Sequence, residues 1–114
     1  MMQQDSIDYT TIEMLKDILE DDFIELIETF LADASLRISE MQGILEGHNG
    51  IDQLEMPAHT LKGSSGNIGA VKLSQYCAQL VENVRDGKTE SLTTLVDDIA
   101  GEYNAIIPQL NNIV

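Results

Sequence analysis

Apolar residues recur three and four positions apart along nearly the whole chain, and no stretch sustains the alternation of a half-buried strand. The spacing predicts a short helix over 10–19, with Ile12, Leu15 and Leu19 on one face and Asp8 placed to cap it. A long helix follows over 21–45. Phe23, Ile27, Phe30, Ala34, Ile38, Met41 and Leu45 form its continuous stripe, and Glu25, Glu28, Asp33 and Glu40 lie mostly away from it. Asp21 and Asp22 fall where the helix dipole favours negative charge. Gly47-His48-Asn49-Gly50 reads as a stop and turn. A third helix is predicted over 51–67. Pro57 lies inside it; a first turn tolerates proline and an interior does not, which allows a later start. Gly66 and Gly69 mark its far end. A fourth, over 72–86, carries Leu73, Cys77, Leu80 and Val84 and ends in the Asp86-Gly87-Lys88 turn. A fifth begins after Thr89 or Ser91 and runs towards the C-terminus, with Leu92, Leu95, Ile99, Tyr103, Ile106, Leu110 and Ile113 inward; Pro108 is placed to kink or end it.

Short connections between amphipathic helices favour antiparallel neighbours. The predicted fold is therefore all-α: an antiparallel up-down four-helix bundle with a short N-terminal cap helix. Residues 1–114 read as one domain without repeat, linker or low-complexity tract, and as a complete stand-alone protein.

Composition changes this picture in three ways. Trp is absent and Phe plus Tyr supply only 4% of residues, so the core must be aliphatic. Six Lys and Arg against twenty Asp and Glu give a net charge of −14, which disfavours nucleic acid and anionic membrane surfaces as partners. The lone Cys77 excludes an internal disulfide, and with only two histidines no Cys-rich zinc site can form, so neither metal nor cofactor is expected. The first residues lack a basic or apolar leader, and no apolar run approaches the roughly 20 residues of a membrane span. A cytoplasmic monomer is the simplest expectation.

The third helix carries the chemistry. At about 100° per residue, Leu54, Ala58, Leu61, Ser65 and Ile68 cluster on a core face, while His59, Lys62, Gly63 and Gly66 share an outward one. Glycine costs about 1 kcal/mol against alanine within a helix, so two glycines on an exposed face need a reason. Open space is one: another molecule can approach the backbone beside His59. Lys62 lies one turn from His59, where its ammonium can pair with an anion on the ring. Imidazole is nucleophilic when neutral, and phosphoryl transfer requires mainly in-line positioning and charge neutralisation. The patch suits a phosphoryl group arriving from one macromolecule and leaving to another.

The run Ala58-His59-x-Leu61-Lys62-Gly63-Ser64-Ser65-x-Asn67-x-Gly69-Ala70 resembles the signature of histidine-containing phosphotransfer (HPt) domains. The resemblance extends to Leu19-Glu20-Asp21-Asp22-Phe23, to Glu25 through Leu31 and to Leu73 through Leu80, so it covers most of the chain. The layout resembles the small stand-alone bacterial HPt proteins. It implies that His59 takes a phosphoryl group from a receiver-domain aspartyl phosphate and passes it to another receiver's aspartate, in a multistep two-component phosphorelay. The donor receiver would belong to a hybrid sensor kinase and the acceptor to a response regulator. Lys62 would steady the phosphohistidine and Gly63 leave room for the receiver's active-site loop. Magnesium in such a transfer belongs to the receiver. Gly66 belongs to the same bare surface, and an apolar docking ring is expected from Ile12, Leu15 and Met56. One departure stands out: several family members place a glutamine on the next helix, and the ungapped position here is Val81, with Gln79 and Glu82 nearby.

His59 as an idle surface histidine and Lys62 as a solvated lysine fit less well with a protein so poor in cations. A frayed helix end accounts for Gly69 better than for Gly63. His48 reads as part of a turn, Cys77 as a small buried hydrophobe, and Met14 and Met41 as core. Gly63-Ser64-Ser65-Gly66 is no phosphate-binding P-loop, because Lys62 precedes the glycines and no strand leads in. Ser64 and His59, five apart, lie on different helix rows and make a poor nucleophilic pair. The chain is thus expected to be a phosphocarrier without a nucleotide site rather than an enzyme. The rival readings are a helical adaptor without chemistry and a sequestering regulator of a signalling partner.

Overall fold

A computed structural model describes residues 6–47 and 50–113. The expected turn residues His48 and Asn49 lie outside the described residues. Helix α1 spans Tyr9–Leu19, α2 Asp22–Gly47, α3 Glu55–Ile68, α4 Val71–Arg85 and α5 Leu92–Ile113; a 3₁₀ turn, Ile51–Leu54, leads into α3. Helices α2 to α5 close a ring of neighbours, α2 on α3, α3 on α4, α4 on α5 and α5 back on α2, while α1 packs across α2 and α3. This is the antiparallel bundle with a short cap helix that the apolar periodicity predicts.

The core is aliphatic. Ile27, Phe30, Ala34, Ile38 and Met41 of α2 meet Ala58, Leu61 and Ile68 of α3, Leu73, Cys77 and Leu80 of α4, and Leu92, Val96, Ile99, Ile106 and Leu110 of α5. Two expectations change here. Met14 is 54% exposed on α1 rather than core, because that helix buries fully only Ile12. Pro108 neither ends nor interrupts α5, which continues to Ile113. Its ring lies on the exposed side, and the buried Leu110 holds the final turn to the bundle.

Local chemistry sets the helix ends that matter for the site. Asp8 caps α1 as expected, accepting from the Thr10 N–H at 3.1 Å. Pro57 is the third residue of α3, in a first turn whose N–H groups need no intrahelical acceptor; the preceding 3₁₀ turn explains the later start. Gly69 closes α3 at φ 88°, with its own N–H on the Gly66 carbonyl and the Ala70 N–H on the Ser65 carbonyl, the paired bonds of a Schellman motif. The Gly69 carbonyl then accepts from the Asp8 N–H at 2.7 Å, which pins the start of α1 to the α3–α4 turn. Among the described residues no helix is long and apolar enough to cross a membrane.

Candidate functional site

Helix α3 divides as its sequence dictates. Leu54, just ahead of it, and Ala58, Leu61, Ser65 and Ile68 are buried; His59, Lys62, Gly63 and Gly66 are exposed. The buried face fixes the rotation of the helix and so aims the imidazole and the ammonium outward together. Ser65 bends its hydroxyl back onto the Leu61 and Lys62 carbonyls, which lets a polar residue occupy the core face without an orphaned group. Ser64 likewise donates to the Leu61 carbonyl, away from His59.

The two glycines on the outward face differ. A Cβ at Gly63 would meet nothing within 4 Å, so nothing inside this molecule demands glycine there. A Cβ at Gly66 would sit 3.4 Å from Oγ of Ser74 on α4, an ordinary contact. Packing within the chain therefore does not account for glycine at 63, and Gly66 faces both solvent and its neighbouring helix.

A shallow cleft holds His59 together with Asp52, Glu55, Met56 and Arg85. A second hollow beside it is lined by Lys62, Ala78, Val81, Glu82, Arg85 and Asp86. Arg85, in the last turn of α4, borders both. Its Nε donates to Oε2 of Glu55 at 3.0 Å, and its Nη2 lies 2.9 Å from the same oxygen in an ion pair. Among the described residues, no three His, Cys, Asp or Glu side chains gather as a metal ion would need.

The Hpt domain family matches residues 25–112. The chain belongs to the Hpt domain family. Its fold agrees with the crystal structure of histidine-containing phosphotransfer protein B (HptB) from Pseudomonas aeruginosa, with a TM-score of 0.90 and 26% identity over 96% of this chain and 95% of that one. Histidine-containing phosphotransfer protein 1 of Oryza sativa is 29% identical over 83% of this chain and 66% of its own length. The phosphorelay intermediate protein YPD1 of Saccharomyces cerevisiae is 31% identical over 63% of this chain and 47% of its own length. This chain thus spans about two thirds or less of those two relatives. Its membership is in a family of phosphorelay intermediates.

Within this Hpt domain the expected docking ring is redistributed. Ile12 is only 2% exposed: it is the residue by which α1 anchors to the bundle, and it cannot meet a partner. Met56 is 71% exposed and lies on the rim of the His59 cleft. Leu15 is half-buried and lines an apolar groove between α1, α2 and α3 with Leu19, Leu26, Phe30 and Ile68. Ser64 and Asn67 border the same groove, which brings it alongside the outward face of α3.

Val81 is buried, and the Gln79 amide donates to Oδ1 of Asn83 at 2.8 Å, along its own helix. The α4 side chain that borders the His59 cleft is Arg85, which sequence reasoning missed. The signal was present in the spacing: position 85 is one helical turn beyond 81 and shares its side of α4.

Proposed function

We propose that His59 is the phosphoacceptor and that the chain relays a phosphoryl group between the aspartates of two receiver domains. The observation that carries this reading is the pairing of an exposed imidazole with Lys62 one turn away and Gly63 open between them and solvent. A neutral imidazole nitrogen attacks the phosphorus of an aspartyl phosphate in line. The P–N bond forms, the P–O bond breaks, and its electron pair stays on the departing carboxylate. The reverse step, with a second receiver's carboxylate as nucleophile, returns the imidazole unchanged. Lys62 offsets the phosphoryl charge, and Gly63 admits the receiver's loop. Met56 and the groove beside Leu15 supply apolar contact area for a transient interface. The chain acts as a carrier rather than an enzyme, working as a cytoplasmic monomer without bound metal or nucleotide.

The test is transfer from a purified receiver domain loaded with labelled phosphoryl group to the wild type and to His59→Gln. The expected result is acid-labile, base-stable label on the wild type alone. Equal labelling of both proteins contradicts the assignment of His59. Absence of label from a broad receiver panel, with both variants still folded and binding a partner, favours an adaptor instead.

A further inference from the structure

Glu20 joins α1 to α2 in a backbone conformation that glycine, not glutamate, adopts easily. Its φ is 50° and its ψ −116°, and no other non-glycine residue among the described ones has a positive φ. This is the first central position of a type II′ turn, where a Cβ crowds the backbone. Both of its backbone groups are committed. The N–H closes α1 on the Lys16 carbonyl at 2.9 Å, and the carbonyl accepts the Phe23 N–H at 3.1 Å to open α2. The side chain is exposed. The strain is therefore imposed by how the two helices sit against each other, and it is released when α1 leaves its seat.

Little holds α1 in place. Within the helix only Ile12 is fully buried, and Ile7 just ahead of it completes the anchor. Its start is tied to the α3–α4 turn by the Asp8 N–H on the Gly69 carbonyl. Two side-chain bonds to the end of α5 are long and exposed: Tyr9 Oη to Oε1 of Gln109 at 3.4 Å, and Lys16 Nζ to the Ile113 carbonyl at 3.5 Å. Leu15 and Leu19 do not pack down onto the bundle. With Leu26 and Phe30 of α2 and Ile68 of α3 they line an apolar groove of about 450 Å³, so this stretch forgoes the contacts of a closed core. Helix α4, by contrast, buries Leu73, Cys77, Leu80 and Val81 and packs on both α3 and α5. Elements with few buried contacts open before the rest of a fold.

We infer that α1 is a hinged lid, which unseats as one unit about Glu20 while the four-helix bundle stays folded. The strained turn raises the free energy of the seated form and relaxes when the helix swings out. The groove exists only in the seated form, because Leu15 and Leu19 are carried by the lid. A partner occupying the groove therefore selects and holds the seated form, and α1 links the surface beside His59 to a conformational equilibrium. The opening itself does not depend on the phosphocarrier reading.

The test is native-state amide hydrogen exchange of the full chain at increasing urea, following residues 13–19 of α1 against residues 73–80 of α4, with rates corrected for intrinsic exchange. The inference expects the α1 amides to share one opening, about tenfold or more above that of α4 and with weaker urea dependence. Glu20→Gly, which relieves the turn, should slow this opening several-fold. Glu20→Ala, which removes the carboxylate and keeps the Cβ, should leave it close to the wild type. Thermal melts verify that each variant folds. Amides of α1 that match those of α4 in rate and urea dependence mean that α1 opens only with the whole molecule. Rates graded from the start of α1 towards Glu20 mean fraying rather than a hinge. Equal slowing by glycine and alanine assigns the effect to repulsion from Asp17, Asp21 and Asp22 instead of the backbone. An unchanged or faster opening in Glu20→Gly means that no strain is released. Each of these four results overturns the inference and leaves the assignment of His59 untouched.

Discussion

Ser74 of α4 donates its hydroxyl to the carbonyl of Lys62 on α3, 3.0 Å away. The bond ties the turn that carries the site's ammonium to the neighbouring helix. Because five buried α3 side chains also hold the rotation of that helix, the tie contributes to stability more than to alignment. Ser74→Ala should lower unfolding free energy by about 0.5–1.5 kcal/mol in urea denaturation, with transfer rates little changed.

Gly63 should separate stability from function. With no atom within 4 Å of a Cβ at this position, alanine fits and gains helix propensity of up to about 1 kcal/mol. Gly63→Ala should melt higher than the wild type. Gly63→Gln should fold as well but place a long side chain where a receiver must approach, slowing transfer by about tenfold or more, roughly 1.4 kcal/mol of barrier. Transfer at the wild-type rate from Gly63→Gln would remove the role assigned to this glycine.

Gly69 and Gly87 make a matched pair. Both have positive φ, 88° and 70°, but only a Cβ at Gly69 meets neighbours, the Asp8 carbonyl oxygen and Thr11 Cβ, each at 3.1 Å. Gly87→Ala should cost about 1 kcal/mol for backbone strain alone. Gly69→Ala should cost more, about 2–3 kcal/mol, and should also speed amide exchange at Asp8, whose N–H rests on the Gly69 carbonyl. Equal losses at the two positions would mean that the contact with α1 carries no weight.

Burial pushes the Cys77 thiol up to about 12. The folded state therefore holds the proton more tightly than the unfolded chain. The stability this gives is fully present below about pH 9 and is lost as pH rises from there towards 12. The slope is at most about 1.4 kcal/mol per pH unit. Denaturation curves across this window should fall more steeply for the wild type than for Cys77→Ala. At pH 8 the native thiol should resist disulfide reagents and react only on unfolding. Rapid native-state labelling would contradict its burial.

Much of this was legible in the sequence, for reasons that particular residues make plain. The α2 stripe from Phe23 to Met41 and the α3 face from Ala58 to Ile68 are buried as their spacing requires, because 3.6-residue periodicity reports directly on which side of a helix meets the core. The exposed patch of His59, Lys62, Gly63 and Gly66 follows from the same arithmetic. Position along a short amphipathic helix was harder to read. Ile12 and Leu15 share an apolar face, but only packing decides that Ile12 anchors and Leu15 lines a groove. In α5 the adjacent apolar residues Leu95 and Val96 both satisfy helical spacing, and the bundle buries Val96 more deeply. Arg85 lies one turn beyond position 81, so its side of α4 was legible, but its nearness to His59 depends on how α4 lies against α3, which no local pattern encodes.

Lys62 should matter to the lifetime of the phosphorylated state rather than to its formation alone. Replacing it with alanine removes one of the cations bordering the site, and the half-life of the isolated phosphoprotein should shorten several-fold while melting temperature stays near that of the wild type. An unchanged half-life would count against its part in holding the phosphoryl group.

The central claim is that one imidazole carries the phosphoryl group. Its most direct test is to phosphorylate the wild-type chain from a loaded receiver domain, digest it under alkaline conditions that preserve phosphoramidates, and locate the added mass by fragmentation. The account predicts a single modified peptide with the phosphoryl group on His59. A phosphoryl group found on His48, on a serine of the Gly63–Gly66 run or on a carboxylate would contradict it.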